Sequence, residues 1–370
     1  MPLVDLAWQH QQIADDVIPG LLEIMSTGSF IQGAAVSAFE TEFAEFCGVH
    51  QCVGVANGTD ALELALRGLG IGIGHGVLLP ANTFIATAEA VVRAGATPIL
   101  VDCDDTALID AQAVAARLDT SVRAVIPVHL YGQIADMEAL AGALAGRDVQ
   151  VIEDAAQAQG AVRNGRGIGS FGAVAATSFY PGKNLGAYGD GGAVVTTDQA
   201  IAGRVRRLAN HGSDSKYVHT DIGCNSRLDT LQAVVLAAKL KRLDEWNQHR
   251  RDAAARYQNL LEPLADEGLV TLPAEALGNR HVWHLYVIRV PRRDAVLDSM
   301  KMNGVDAGIH YPIPVHLQDA FKGLGHRRGD FPVAERMAGE ILSLPIYPGI
   351  TEAIVERVVE VLADALLRGG

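Results

Sequence analysis

Between residues 50 and 200 the chain alternates short apolar runs with amphipathic stretches, and this alternation restricts the fold more than any other feature. The runs are 52–56 (CVGVA), 76–80 (GVLLP), 98–102 (PILVD), 124–128 (AVIPV), 149–153 (VQVIE), 174–178 (VAATS) and 193–197 (AVVTT). Helical patterns such as 61–69, 83–94 and 136–145 stand between them. Continuous Val/Ile/Leu runs separated by helices mark a mostly parallel sheet covered on both faces, an α/β fold. With 39 glycines and only 5% aromatic residues, the chain also suits close helix-on-sheet packing.

From 200 to 262 the pattern is mostly helical, with apolar residues at helical spacing over 228–246 and again over 251–261. The composition shifts near residue 279. Residues 282–290 (VWHLYVIRV) alternate as a strand, followed by helices over 294–303 and 352–367. A chain of 370 residues is long enough for two cores. The expected division is a large domain over 1–252, opening with a weakly patterned arm at 1–35, and a smaller α+β domain over 253–370.

The net charge of −13 repels phosphate backbones and argues against nucleic acid as a partner. An anionic ligand must therefore be held by a local set of donors. Cys47, Cys52, Cys103 and Cys224 form no C-x-x-C pair and read as free thiols in a reducing compartment. Cys47 and Cys52 with His50 fall short of a closed metal site, so no metal is expected. The N-terminus shows no signal-peptide pattern, and no apolar run reaches the ~18–20 residues that span a bilayer. A cytoplasmic protein without membrane partners is the expectation.

Four segments carry chemistry. Lys183 follows an apolar run, in a turn rich in Gly and Pro (SFYPGKNLGAYGDGG, 178–192). A lysine acts as a nucleophile toward an aldehyde only when its amine loses a proton, which burial promotes; alone, the residue also reads as a surface-loop lysine. Asp154 ends the run at 149–153, at the sheet edge where open α/β folds bind ligands. It suits pairing with a protonated ring nitrogen, and it equally suits capping the next helix. Gly58, Thr59 and Asp60 lie between a strand and a helix, where backbone N–H groups favour a phosphate; simple capping explains them as well. Phe84, after the run at 76–80, reads as a stacking surface for an aromatic cofactor or as core.

Taken together, these segments resemble the DegT/DnrJ/StrS-type sugar-nucleotide aminotransferases, which belong to the fold-type-I pyridoxal-phosphate enzymes. The resemblance runs from PLVDL (2–6) to LSLPIYPG (342–349). NGTDALELAL (57–66), EDAAQAQGA (153–161), SFYPGKNLGAYGDGG (178–192), NSRLDTLQA (225–233) and HYPIPVH (310–316) carry it. It implies a large cofactor-binding domain with a seven-stranded sheet sandwiched by helices, plus a small C-terminal domain.

The same resemblance implies residue roles. Lys183 would hold pyridoxal 5'-phosphate covalently and move protons, and Asp154 would face the pyridine nitrogen. Gln157 would contact the ring hydroxyl. Thr59, Asp60 and Ser178 would hold the phosphate, and Phe84 would stack on the ring. Asn225 would reach the same phosphate from a neighbouring subunit, which makes a homodimer with shared sites. Tyr180 and His310 would face the sugar, with Lys216, Tyr217 and Arg227 toward its diphosphate. Position 159 is Gln where the family often has His, which puts a direct catalytic role there in doubt.

NGTDAL and SFYPGKN are more similar to enzymes that aminate C3 of a keto-sugar than to those that aminate C4. The implied reaction is transamination of a dTDP-3-keto-6-deoxyhexose with L-glutamate as donor. The alternatives are a 4-keto-sugar, a UDP-linked 3-keto-uronate or a cyclitol ketone as acceptor, a sugar dehydratase, or a non-catalytic regulator on the same fold. The dehydratase has His where this chain has Lys183, and a DNA-binding regulator fits poorly with a charge of −13.

Overall fold

A computed structural model describes residues 1–368. The seven apolar runs become the seven strands of one sheet. Five come first: β1 (Gln51–Val55), β2 (Gly76–Pro80), β3 (Thr97–Val101), β4 (Val122–Val125) and β5 (Gln150–Asp154). A small hairpin, β6 (Val162–Arg163) and β7 (Arg166–Gly167), precedes the last two, β8 (Val174–Ser178) and β9 (Gly192–Thr196). Their order across the sheet is β1-β9-β8-β5-β4-β2-β3. Strands β8, β5, β4, β2 and β3 are parallel, and β9 runs antiparallel to both neighbours. Six strands therefore end on one edge, and every residue of β2 and β9 is buried.

Helices α1 (Leu6–Thr27), α2 (Ala34–Cys47), α3 (Gly58–Gly68), α4 (Ile85–Arg93), α5 (Ala111–Arg117), α6 (Met137–Ala143) and α7 (Gln199–Ala209) lead toward a helical pair, α8 (Thr230–Leu240) and α9 (Leu243–Asp266). Helix α3 packs on β8, β9 and α4, so its N-terminus is fixed against the strand ends. A second core begins at Ala253 within α9 and includes Tyr257, Tyr286, Met300 and Leu362. The boundary expected at 252/253 thus falls inside one unbroken helix.

Three differences from the sequence reading have physical causes. The weakly patterned segment 1–35 contains the 22-residue helix α1, capped by Asp5, whose side chain accepts from the Trp8 N–H. Its periodicity is blurred because Ile13 and Val17 are buried while Ile18, Leu22 and Met25 are exposed. The helical stretch after residue 200 breaks at 210–229, where a polar hairpin forms from β10 (Ser213–Ser215) and β11 (Val218–His219). Backbone meets backbone there: a Cβ on Gly223 would stand 2.1 Å from the Gly212 nitrogen.

The third difference concerns 282–290. After β12 (Asn279–Arg280), the strand β13 (Tyr286–Arg289) covers only the second half of that run and pairs with β14 (Ile341–Leu344). Trp283 takes a positive φ of 45°. The Val282 and Leu285 N–H groups donate instead to Gly132 and Tyr131 carbonyls, which keeps 282–285 out of the strand. Helices α10 (Arg293–Met302), α11 (Pro332–Glu340) and α12 (Glu352–Arg368) complete the chain.

All four cysteines are free. Among the described residues, no helix is long and apolar enough to cross a membrane, and no cluster of His, Cys, Asp and Glu could hold a metal.

Glu153 anchors the sheet edge. Its buried carboxylate accepts from the N–H groups of Gly169 (3.1 Å), Phe171 (3.1 Å) and Gly172 (2.8 Å). His129 Nε2 completes the set at 3.1 Å. His129 Nδ1 accepts from the Ala135 N–H at 3.2 Å, so its proton sits on Nε2 and is donated to Glu153. Glu153→Gln would turn an amide NH₂ toward these donors. A loss of about 2–4 kcal/mol is expected, read as a fall in melting temperature by calorimetry. An unchanged melting temperature would contradict this role.

Candidate active site

The strand ends and the helices that follow them enclose a cavity of about 730 Å³. Asp154 enters it from the end of β5, Ser178 from the end of β8, and Gly58 and Thr59 from the start of α3. Thr83, Phe84 and Thr87 enter from β2–α4, and Lys183 from the Gly-rich turn after β8. Residues far apart in sequence meet here because parallel strands deliver their ends to one edge.

Asp154 and Lys183 share the wall of this cavity, and each lowers the cost of the other's charge. Burial pushes the Asp154 carboxyl above its ordinary value, while the Thr87 hydroxyl, the Ala156 N–H and the Lys183 charge pull it back. Thr87 Oγ1 donates to Asp154 Oδ2 at 2.8 Å, and the Ala156 N–H reaches Oδ1 at 3.2 Å. Thr83 Oγ1 lies 2.7 Å from Thr87 Oγ1 and holds it in place. Burial lowers the Lys183 amine from 10.5 to about 8, with Asp154 opposing. An amine in this state is a ready nucleophile and base.

On the α3 side the backbone itself forms a cradle. Asn57 caps the helix, accepting from the Asp60 N–H at 2.8 Å. The Asp60 N–H, expected to hold a phosphate, is thus taken by the cap, and Asp60 does not line the cavity, which leaves the N–H groups of Gly58 and Thr59 as the donors of the first turn. A Cβ on Gly58 would stand 2.6 Å from the Ser178 Cβ, and one on Gly192 would stand 2.4 Å from the Asn57 carbonyl oxygen. Glycine at both places lets strand and helix close into a concave, donor-lined corner. A phosphate fits such a corner, and the open ring of Phe84 fits an aromatic ring beside it.

The remaining residues divide. Tyr180, Gln157 and His310 line the cavity. The Gln157 amide is already engaged, its Oε1 accepting from the Tyr131 N–H at 2.7 Å and its Nε2 donating to the Tyr311 hydroxyl at 3.1 Å. His310 Nδ1 lies 2.8 Å from Ser343 Oγ, and burial with the Lys183 charge lowers its imidazole to about 4. Asn225, Lys216, Tyr217 and Arg227 lie outside this wall, on the segment between α7 and α8. Arg227 donates to Asn210 Oδ1 at 3.1 Å, and Lys216 sits 5.4 Å from the Tyr217 ring on the exposed hairpin. Gln159 is buried away from the cavity, bonded to Thr177 Oγ1 (2.9 Å) and the Ser178 carbonyl (2.8 Å).

Sequence reasoning passed over Thr87, Tyr311 and His284, all of which line the cavity. Thr87 follows Phe84 by three positions, so a one-turn step along α4 could have found it. Tyr311 stands within the HYPIPVH segment, its ring centroid 5.1 Å from that of Phe84. His284 carried no signal within an alternating strand pattern.

Residues 11–363 match the model of the DegT/DnrJ/EryC1/StrS aminotransferase family. The chain is 43% identical over 365 residues to a pleiotropic regulatory protein of Geobacillus stearothermophilus, covering 98% of each. It is 43% identical over 365 residues to the dTDP-3-amino-3,4,6-trideoxy-alpha-D-glucose transaminase of Streptomyces venezuelae, covering 98% of this chain and 96% of that one. The crystal structure of S. venezuelae DesV in complex with a ketimine intermediate superposes with a TM-score of 0.95 at 42% identity, over 99% of this chain and 98% of DesV. The chain belongs to the DegT/DnrJ/EryC1/StrS aminotransferase family.

Proposed function

We propose that this protein transfers an amino group from L-glutamate to C3 of a nucleotide-linked keto-sugar, a dTDP-3-keto-6-deoxyhexose, with pyridoxal 5'-phosphate held at Lys183. The observation that carries this reading is the placement of Lys183 and Asp154 on the wall of one cavity, near enough for each to act on the other's charge. Likeness to a dTDP-amino-sugar transaminase supports the acceptor. A regulator derived from the same fold would have no use for an amine and a carboxylate that line one cavity.

When bound, pyridoxal phosphate supplies the electron sink that cleavage of a C–H bond next to nitrogen requires. The chain's residues do the rest. Asp154 would keep a proton on the ring nitrogen, and Thr87 fixes the carboxylate for that task. Gly58, Thr59 and Ser178 hold the phosphate at the start of α3, with Asp60 on the same turn. Phe84 would stack on the ring, and Gln157, held by Tyr131 and Tyr311, would meet its hydroxyl. Lys183 Nζ takes the proton from the carbon and returns it, a role that contributes roughly 10²–10⁴-fold. Tyr180 and His310 contact the hexose.

A second copy of the chain completes the site in this reading. Asn225 reaches the partner's phosphate, while Lys216, Tyr217 and Arg227 meet the nucleotide diphosphate from across the interface. Their position outside the chain's own cavity supports that arrangement, as do the exposed Ile18, Leu22 and Met25 on α1. In this reading residues 1–252 are the cofactor-binding domain and 253–370 the smaller one, with 369–370 outside the described residues, and the reaction belongs to the cytoplasm.

Three outcomes are expected. Attachment to Lys183 uses the unprotonated amine, so the rate of loading apo-protein with pyridoxal phosphate should rise with pH through about 8 and then level. A midpoint near the ordinary value of 10.5 would contradict the burial argument. With L-[¹⁵N]glutamate as donor, dTDP-3-keto-6-deoxyhexose should take up the label at C3, read by NMR, while its 4-keto isomer should stay unlabelled; labelling of the 4-keto isomer alone, or turnover only with UDP-linked sugars, would replace the proposed acceptor. Lys183→Ala and Asn225→Ala proteins, each impaired alone, should recover activity when unfolded and refolded together. Failure of the refolded mixture to exceed either parent would remove the shared site.

A further inference from the structure

His284 lines the cavity with Lys183, and buried polar groups hold both its ring and its backbone. Asn184 Oδ1 lies 3.1 Å from His284 Nδ1. The orientation of that amide is fixed by backbone: Asn184 Nδ2 donates to the Val282 carbonyl at 2.9 Å and to Asn247 Oδ1 at 2.8 Å. Asn247 is fixed in the same way, its Nδ2 donating to the Gln159 carbonyl at 3.0 Å. Carbonyl oxygens only accept, so each amide can point in one direction alone. Asn184 Oδ1 is thus an acceptor, and the imidazole proton is on Nδ1.

A guanidinium fixes the backbone beneath it. Arg250 is fully buried, and its Nη1 donates to the carbonyls of Trp283 (3.1 Å), His284 (3.2 Å) and Ile346 (3.0 Å). With backbone and tautomer held and Nδ1 engaged, Nε2 is left as an unprotonated lone pair with no hydrogen bond to the described residues, on a side chain that lines the cavity. Burial together with the charges of Lys183, Arg250, His310 and His281 pushes this imidazole well below its ordinary range. It therefore stays an acceptor at every pH where the enzyme would work, and it is a poor base.

We propose that His284 is a specificity-determining residue whose Nε2 accepts a hydrogen bond from a hydroxyl of the sugar substrate. This rests on the keto-sugar reading above and deepens it. A neutral acceptor that resists protonation discriminates for hydroxyl donors and against substrates lacking one, because an unmet buried lone pair costs binding. An amino acid donor offers no hydroxyl, so only one half of the reaction should depend on His284.

The test uses holoenzyme in separate half-reactions. His284→Leu should raise KM for the keto-sugar nucleotide about tenfold, with the glutamate half-reaction and its pH profile unchanged. His284→Gln, which returns an acceptor oxygen, should recover much of that loss. Across a panel of mono-deoxy analogues, wild type should lose affinity for one of them, and His284→Leu should no longer distinguish that analogue from the parent sugar. An unchanged sugar KM, an equal fall in both half-reactions, or a deoxy panel that His284→Leu discriminates as wild type does would overturn the assignment. Wild-type protein that aminates no nucleotide-linked keto-sugar would instead remove the parent reading and this one with it.

Discussion

An acid and an amine buried on the same cavity wall set the terms for the rest of this molecule. Removal from water destabilises both charges, and each offers the other partial compensation. The balance leaves Lys183 near the point where it exchanges a proton in neutral water, while Thr87 and the Ala156 N–H keep Asp154 usable as an anion. The fold's task is to hold two such groups together without letting them collapse into a closed ion pair. Parallel strands do this by ending on one edge, so that β5 and the turn after β8 present their groups around a void.

Close packing supplies the remaining precision. Gly58 and Gly192 permit backbone contacts that any side chain would block, and these contacts seat the start of α3 against β8 and β9. Beneath that layer, Glu153 ties the loop at 169–172 to His129, whose own N–H bonds to the Asp154 carbonyl at 2.9 Å. The acid that faces the cavity is thus braced by the acid that faces the core. Neighbours in sequence, they do opposite work because strand residues alternate between faces.

Much of this was legible beforehand, for identifiable reasons. Strands buried on both faces must be apolar throughout, so seven runs announced seven strands. Lys183 and Asp154 stood out because each followed such a run. The site's supporting layer was silent: Thr87 is an ordinary helix residue by pattern, and His284 lies in a stretch that alternates like a strand until Trp283 turns to positive φ. Such backbone departures depend on partners distant in the chain, here the Gly132 and Tyr131 carbonyls. Helix α1 was hidden for another reason, since apolar residues occupy its outer face as well as its inner one.

The chain contains its own control for the central claim. Lys239 is also buried and also lowered to about 8, yet its neighbours are Gln9 Oε1 at 3.3 Å and the Tyr188 ring at 5.1 Å, and it lies outside the cavity. Burial alone would make the two lysines alike; an acid across an open cavity distinguishes Lys183. Protein loaded with pyridoxal phosphate, reduced with borohydride and digested for peptide mass mapping compares them directly. The account requires the added pyridoxyl mass on the peptide bearing Lys183 and nowhere else. Modification at Lys239, or no stable adduct at all, would contradict it.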